Sequence, residues 1–226
     1  MISFKQIRDG IQQTVYRIID MPVRGMVRIG LTPNMMTTVG LLGNLVASFL
    51  IVWAALISQQ SSINFRLIGW SGVLVLFFSI FDMVDGYMAR TANMETRFGA
   101  FYDSVLDRYC ELSTLSALAF FFVQTGYIWF ALCCFLSLVG SVMVSYVRAR
   151  AEGLGYECKV GFMQRPERVV VTSIGLAFGG FLSECVSFDS MWIVALPQML
   201  IAVLANWTAV VRILHVKRQM EDNVRA

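Results

Sequence analysis

The sequence predicts an all-α integral membrane protein with six transmembrane helices, preceded by an N-terminal amphipathic helix at the membrane interface. Of its 226 residues, 57% are hydrophobic and 15% are charged, whereas soluble domains have about 25% charged residues. The mean hydropathy is +0.66. Apolar stretches long enough to cross a bilayer recur along the chain. This composition excludes a soluble enzyme, a disordered chain and a nucleic-acid-binding protein.

The N-terminal region, residues 1–30, is predicted to be a cytoplasmic interfacial helix. Its apolar residues at positions 4, 7, 11, 15, 18 and 19 fall on one helical stripe, with five basic residues between and after them. A helix with one apolar and one basic face lies in the plane of the membrane interface. A signal peptide is the alternative interpretation, but neither an apolar core nor a small-residue cleavage site follows the charges.

The remaining region, residues 31–226, is predicted to be one membrane domain. A helix needs about 20 apolar residues to cross the hydrocarbon core of a bilayer. Six stretches approach or exceed this length, and the loops between them are too short for a soluble catalytic domain. The stretches are residues 34–57, 67–91, 98–124, 127–150, 167–184 and 191–214.

Basic residues are distributed asymmetrically between the connections, which predicts an orientation. The connections at 58–66, 125–126 and 185–190 contain one basic residue, Arg66. Most of the other seventeen lie in the N-terminal segment, the 92–97 turn, the 151–166 loop and the C-terminal tail. Since basic loops stay on the cytoplasmic side, we expect both termini on the cytoplasmic face of the cell membrane.

Four aspartates lie where a lipid-facing helix would not carry charge. Asp82 and Asp85 end the second stretch, and Asp103 and Asp107 begin the third. Each costs about 2.5–3.5 kcal/mol at the centre of a span. Each pair lies on one helical face, and the short 92–97 turn makes the two helices antiparallel neighbours. We therefore expect the four carboxylates to converge.

Convergent carboxylates repel one another unless cations lie between them. Oxygen ligands without cysteine or histidine suit Mg²⁺, Mn²⁺ or Ca²⁺, and a divalent cation beside arginines suggests phosphate transfer on a lipid. Small residues at Gly86, Ala89 and Gly99 keep the same faces open. The alternative is that the acids form only intramembrane ion pairs with nearby arginines, which would not require these glycines. The arginines concerned are Arg90, Arg97 and Arg108.

The spacing of this motif resembles the signature of the CDP-alcohol phosphotransferase family. It reads Asp82-x2-Asp85-Gly86-x2-Ala89-Arg90-x8-Gly99-x3-Asp103-x3-Asp107. The resemblance implies metal-dependent transfer of a phosphatidyl group from a CDP-linked lipid, CDP-diacylglycerol or an ether-linked analogue, to an alcohol, with release of CMP. It also implies a homodimer with its active site open to the cytoplasm.

The resemblance also implies roles for individual residues. Two ions of Mg²⁺, or Mn²⁺, would be bound by Asp82, Asp85, Asp103 and Asp107. The last of these, Asp107, would also be the base that deprotonates the acceptor hydroxyl. The nucleotide would contact Gly86, Arg90, Asn34 and Thr37. The Thr32-Pro33 pair that precedes the last two is equally explained as a helix start that needs no ligand.

Arginines near the cytoplasmic ends of the fourth to sixth stretches predict an acceptor that already carries a phosphate, because guanidinium groups bind phosphate in a bidentate manner. The segments SYVRARAE and RPER resemble the phosphatidylinositol-phosphate synthase branch of the family, whose acceptor would be inositol 1-phosphate. The residues that would bind the acceptor phosphate are Ser145, Arg148, Arg165, Arg168 and Arg212. These arginines are alternatively anchors that contact lipid headgroups.

Other functions remain open at this point. Phosphatidylglycerophosphate synthase, which takes glycerol 3-phosphate, would need similar arginines. An intramembrane cation transporter would place acids near the bilayer midplane, whereas these lie in the cytoplasmic halves of the stretches. Prenyltransferases of the UbiA type have aspartate motifs with other gaps. A comparison of acceptors in one assay distinguishes these possibilities.

Overall fold

The computed structural model describes residues 19–58, 63–183, 185 and 188–225, and its regular secondary structure there is helical. Seven helices occur in this part of the chain. They are α1 (19–28), α2 (Pro33–Ile57), α3 (Phe65–Thr91), α4 (Arg97–Gln124), α5 (Ile128–Glu152), α6 (Arg165–Phe181) and α7 (Met191–Arg225). The predicted helical class is confirmed, and each apolar stretch of the sequence corresponds to one helix from α2 to α7.

Four of these helices are long and apolar enough to cross a membrane, namely α2, α3, α5 and α7. The protein is therefore a membrane protein. Helix α4 has 28 residues but contains the charged run from Asp103 to Glu111, and α6 has only 17 residues. The structure thus supports four spans by length and composition, and the count of six stays a prediction.

The described part of the N-terminal helix packs against α2 and α3. The predicted apolar stripe at positions 4 to 18 lies outside the described residues. Val23 is only 1% exposed and joins Met36, Val84 and Met88 in an apolar cluster, whereas Met21 is 85% exposed. The Tyr87 hydroxyl donates a 2.9 Å hydrogen bond to Asp20. This bond and the neighbouring Arg24 guanidinium hold the pKa of Asp20 below its ordinary value.

Contacts divide the chain into two compact units. The first unit contains Phe77–Asp107 and the described residues up to Leu42; the second contains Gly43–Leu76 and the described residues from Arg108 onwards. All three boundaries between the units fall inside continuous helices, in α2, α3 and α4. The first unit carries the four signature aspartates, and the second carries the arginines of α5 to α7.

Small residues allow close helix packing within the second unit, where α7 packs against α5 and α6. A Cβ atom at Gly175 would meet the ring of Pro197, and one at Gly179 would meet Val194. A Cβ atom at Gly180 would meet the backbone of Gly69 on α3. Membrane helices associate through such close approach because lipid offers no hydrophobic driving force between them.

The connection before α7 is fixed to the connection before α5 inside the second unit. The Tyr127 hydroxyl donates a 2.5 Å hydrogen bond to the Asp189 carboxylate, which raises the pKa of Tyr127 to about 12. The other oxygen of Asp189 accepts a 3.0 Å hydrogen bond from the Met191 backbone N–H, in the first turn of α7. Two connections that contain no basic residue are thereby tied together.

Candidate active site

Asp85 is the most enclosed of the four signature aspartates. It lies on α3, and its side chain is buried against Thr37 of α2. The Thr37 hydroxyl lies 2.6 Å from Asp85 Oδ2 and 3.0 Å from the Pro33 carbonyl oxygen. Since a hydroxyl has a single proton to donate, its short contact with the carboxylate fixes the orientation of Asp85.

The other three signature aspartates lie in the same unit as Asp85. The charges of Asp82 and Asp103 both act on the Asp85 carboxylate. Asp107 is half-buried on α4, one turn after Asp103. Among the described residues, no three acids, cysteines or histidines are placed so as to form a ready metal-ligand group. The charges of Asp82 and Asp103 therefore influence Asp85, but the carboxylates are not already arranged as the ligands of a metal ion.

The small residues of the signature leave space beside these carboxylates. A Cβ atom at Gly86 would meet only the Arg90 guanidinium, at 3.6 Å. A Cβ atom at Gly40 of α2 would lie 3.3 Å from Asp82 Oδ1. A larger residue at position 40 would therefore press on the aspartate, whereas the space beside Gly86 is bounded only by a flexible side chain.

The residues predicted to bind the nucleotide lie in the same unit. Asn34 is half-buried, and its Oδ1 lies 3.1 Å from where a Cβ atom at Gly99 would be. Arg90 is exposed and folds back towards Gly86. Thr37 contacts Asp85, as described above. Of the four predicted residues, Gly86 and Arg90 lie beside each other, Asn34 lies beside Gly99, and Thr37 supports a carboxylate.

The start of α4 is well defined by local chemistry. Thr96 precedes the helix, and its side-chain oxygen accepts a 2.8 Å hydrogen bond from the Gly99 backbone N–H. This is the contact that an N-cap threonine makes with the third residue of a helix. Asn93 adopts a left-handed conformation with φ of 53°, which asparagine tolerates better than most residues. The turn thus sets where Asp103 and Asp107 begin to project.

The donor set of the first unit suits a hard divalent cation. The candidate ligands are carboxylate oxygens only, and Mg²⁺ and Mn²⁺ prefer such ligands. One of them, Asp85, accepts a hydrogen bond from the Thr37 hydroxyl, and such a bond orients a metal-binding carboxylate. The residues therefore fit a metal by donor chemistry and by the space beside Gly86.

Arg168 and Arg212, predicted to bind the acceptor phosphate, are instead buried against protein groups. Arg168 is 2% exposed and makes two bonds with Glu111, at 2.5 and 2.9 Å. It also donates a 2.9 Å bond to the Met163 carbonyl. Arg212 donates bonds of 2.8 and 2.5 Å to the carbonyls of Val160 and Val144. Both side chains thus bind the loop between α5 and α6, and Arg212 also binds a carbonyl within α5.

The other three predicted acceptor residues are half-buried. The Ser145 hydroxyl donates a 3.2 Å bond to the Ser141 carbonyl. Arg148 forms a 2.8 Å ion pair with Glu152 one turn later on α5. Arg165 begins α6, and its charge reaches Glu111. These side chains are more accessible than Arg168 and Arg212, which is what contact with a soluble acceptor requires.

Sequence reasoning missed two contacts that organise these regions. It assigned Thr37 to the nucleotide rather than to Asp85, and it gave no partner to Glu111. Glu111 lies four residues after Asp107 on the same helical face. The sequence therefore showed an acid that needed a partner, but not which residue the partner is. Its partner Arg168 lies 57 residues away, a separation at which no local pattern indicates contact.

Known proteins resemble this chain in sequence and in fold. The model of the family described as CDP-alcohol phosphatidyltransferase matches residues 30–216. The chain is 32% identical over 193 residues to phosphatidylinositol phosphate synthase of Mycobacteroides abscessus, covering 83% of this chain and 81% of that protein.

Two crystal structures of Mycobacterium tuberculosis phosphatidylinositol phosphate synthase are also similar to this chain, each at 28% identity. One, with CDP-DAG bound, has a TM-score of 0.75 and covers 88% of this chain and 94% of that chain. The other, in complex with manganese and citrate, has a TM-score of 0.72 and covers 86% of both chains.

Proposed function

Because this chain belongs to the CDP-alcohol phosphatidyltransferase family, we propose that it makes phosphatidylinositol phosphate. The donor is CDP-diacylglycerol or an ether-linked analogue, the acceptor is inositol 1-phosphate, and CMP leaves. The observation that carries the choice of acceptor is the similarity to phosphatidylinositol phosphate synthases over more than four fifths of the chain. The accessible arginines of α5 and α6 support it, because they suit a phosphorylated alcohol.

The proposed transfer is a single displacement at phosphorus. The acceptor hydroxyl oxygen forms a bond to the phosphorus that carries the diacylglycerol. The bond from that phosphorus to the bridging oxygen of the pyrophosphate breaks, and CMP leaves with that oxygen and the electron pair. The hydroxyl proton passes to the carboxylate of Asp107, which acts as general base.

Four aspartates are proposed to hold two ions of Mg²⁺ or Mn²⁺, namely Asp82, Asp85, Asp103 and Asp107. When bound, such cations neutralise the pyrophosphate and the departing CMP. Thr37 orients Asp85 for this role through its 2.6 Å hydrogen bond. Asn34, Gly86 and Arg90 are proposed to contact the nucleotide, for which the space beside Gly86 leaves room.

The acceptor phosphate is proposed to bind Ser145, Arg148 and Arg165, which are half-buried rather than enclosed. Arg212 has Nε and Nη1 committed to carbonyls, so it would reach a phosphate only through its remaining nitrogen. Arg168 has both edges of its guanidinium engaged. We therefore assign Arg168 a supporting role.

The acceptor assignment predicts a clear preference among alcohols. Purified protein in detergent is given radiolabelled CDP-diacylglycerol, Mg²⁺ and one of four acceptors: inositol 1-phosphate, free inositol, glycerol 3-phosphate or serine. We expect CMP release and a labelled phosphatidylinositol phosphate with inositol 1-phosphate. Excess EDTA should abolish turnover, and added Mn²⁺ or Mg²⁺ should restore it, because the carboxylates need cations to bind the pyrophosphate.

Each alternative acceptor has a defined meaning. Preference for glycerol 3-phosphate would replace the proposed product with phosphatidylglycerophosphate and keep the phosphate-binding arginines. Preference for free inositol or serine would overturn the acceptor-phosphate assignment. Full turnover by the Asp107→Asn variant would overturn its assignment as base.

The proposal extends to the orientation in the membrane and to the assembly. We infer that both termini and the active site face the cytoplasm, because the basic residues collect on that side. We also infer a homodimer from the family resemblance. Chemical crosslinking of the protein in native membranes should give a band at twice the monomer mass, and a monomer only, at several crosslinker concentrations, would contradict the dimer.

A further inference from the structure

The Glu111–Arg168 ion pair is the most enclosed charged pair in the part of the chain that the structure describes. The side chains are 6% and 2% exposed, respectively. Nε and Nη2 of Arg168 donate to the two carboxylate oxygens at 2.5 and 2.9 Å. The arrangement is a bidentate one, with α4 contributing the acid and α6 the guanidinium.

A third bond extends this pair into the loop that precedes α6. Nη1 of Arg168 donates a 2.9 Å hydrogen bond to the Met163 carbonyl. The Arg168 backbone N–H donates to the Gln164 carbonyl at 3.2 Å. Arg168 thus fixes two successive loop residues immediately before Arg165, the first residue of α6.

Stability alone does not account for this arrangement. Burying two charges costs so much solvation that replacing a buried ion pair by apolar residues is often neutral or stabilising. Ionisable residues in membrane helices mark functional positions for the same reason. Unlike an apolar contact, the pair gives three hydrogen bonds a fixed direction.

Arg165 lies in the same first turn of α6 as Arg168. It lies three residues before Arg168, so both project from the same face of the first turn of α6. It is half-buried, and its charge reaches Glu111. Pro166 lies between the two and restricts the backbone of the turn. A rotation of this turn would therefore displace Arg165 together with Arg168.

We propose that the Glu111–Arg168 pair is a positioning device that holds Arg165 in place to bind the phosphate of the acceptor. This inference rests on the proposed function and assigns Arg168 the role of a positioning residue rather than a phosphate ligand. Glu111 acts through Arg168 and does not contact the acceptor. The pair therefore governs acceptor affinity and leaves donor affinity unaffected.

The test uses the Arg168→Lys variant of the full-length protein in detergent. Lysine keeps the charge opposite Glu111 but lacks the planar fork that also reaches Met163. We expect the KM for inositol 1-phosphate to rise roughly ten- to hundredfold, the loss that a displacement of about 1 Å causes in a binding group. The KM for CDP-diacylglycerol should stay within about twofold of the wild-type value, because a change confined to the binding of one substrate leaves the binding of the other unaffected.

A matched control and a second variant separate positioning from folding. Glu157→Gln removes an exposed ion pair with Lys159 in the same loop and should leave both KM values unchanged. If Arg168→Lys does not fold, the neutral double variant Glu111→Gln with Arg168→Gln replaces it, with the tryptophan fluorescence melting temperature reporting the folded state. A merely structural pair would lower kcat with the folded fraction and change neither KM.

A double-mutant cycle identifies Arg165 as the residue positioned. Arg165→Gln alone should raise the acceptor KM, and adding Arg168→Lys should raise it little further, because coupled residues are not additive. Fully multiplicative effects, or an unchanged acceptor KM in Arg168→Lys, would overturn the positioning role. If the wild-type protein instead prefers free inositol, the proposed function fails before any variant is made, and the positioning of a phosphate ligand fails with it.

Discussion

Thr37 is the hydroxyl that supports Asp85, one of the proposed metal ligands. Its 2.6 Å contact with Asp85 is buried on both sides, and such supporting contacts typically affect metal affinity or activity by about 10–100-fold. We predict that Thr37→Val raises the Mn²⁺ concentration needed for half-maximal activity by about tenfold. The measurement is CMP release as a function of Mn²⁺ at saturating substrates.

The adjacent threonine provides the control for this variant. The Thr38 hydroxyl donates a 2.8 Å hydrogen bond to the Asn34 carbonyl and lies 3.0 Å from the Tyr102 hydroxyl, so its hydrogen bonds differ from those of Thr37. Thr38→Val removes the same hydroxyl from the same helix and should leave the Mn²⁺ dependence unchanged. Equal shifts in the two variants would mean that the effect comes from α2 as a whole and not from the bond to Asp85.

Val23 and Met21 give a second residue-level prediction, on the attachment of α1. Val23 is buried among residues of α2 and α3, while Met21 projects away from them. Val23→Ala should destabilise the protein by about 1–3 kcal/mol, as other truncations of buried side chains do. Met21→Ala should not, and a melting temperature lowered equally by both would contradict the packing of α1. The measurement is the fluorescence melting curve in detergent.

At the scale of helices, the sequence predicted the elements better than their contacts. Span length and apolar content located α2 to α6 and the start of α7 to within three residues, because the bilayer imposes that length on any helix. Helix α7 continues to Arg225, eleven residues beyond its predicted end. The four aspartates were found because charge is costly in such helices. The pairs Thr37–Asp85 and Glu111–Arg168 were not found, because each depends on the rotation of one helix against another, which no local pattern encodes.

Close helix packing in the second unit leads to a prediction about glycine. A Cβ atom at Gly180 of α6 would overlap with the backbone of Gly69 and the carbonyl of Phe65, and backbone cannot move aside cheaply. Gly180→Ala should therefore lower the melting temperature markedly, with an overpacking cost of about 1–3 kcal/mol. Gly25→Ala is the control, since nothing lies within 4 Å of its added atom and alanine favours the helix.

The melting temperatures of the two glycine variants test the helix packing directly. If Gly180→Ala melts at the wild-type temperature, α3 and α6 are not packed as closely as the structure places them. If Gly25→Ala melts lower, position 25 contacts another part of the protein. The close approach of α3 and α6 is the expected result, because small residues are the usual means by which membrane helices associate.

For the whole molecule, the scarcity of charge established the class and the placement of charge suggested the activity. A low content of charged residues together with long apolar stretches predicts a helical membrane protein. The division of contacts into two units was not predicted, because its boundaries fall inside α2, α3 and α4, where composition does not change. The signature aspartates lie in the first unit and the predicted acceptor arginines in the second, a division that sequence position alone did not indicate.

The predicted orientation is testable with the protein's own cysteines. Cys185, between α6 and α7, is exposed, Cys133 is half-buried within the apolar helix α5, and the other three cysteines are buried: Cys110, Cys134 and Cys158. If both termini are cytoplasmic, the connection with Cys185 lies outside. A membrane-impermeant maleimide should then label Cys185 on intact bacterial spheroplasts that express the protein, because only exposed thiols outside the membrane react.

Two variants complete this experiment on the opposite faces of the membrane. Cys185→Ser should abolish labelling of intact spheroplasts. In that background, Glu157→Cys places a thiol in the α5–α6 loop at a position that is 73% exposed. This thiol should react only after permeabilisation, because the basic residues beside the loop keep it in the cytoplasm. The opposite result would be labelling of Glu157→Cys in intact spheroplasts, together with no labelling of Cys185 in the wild-type protein. It would mean that the orientation is reversed and that the signature aspartates lie on the outer side.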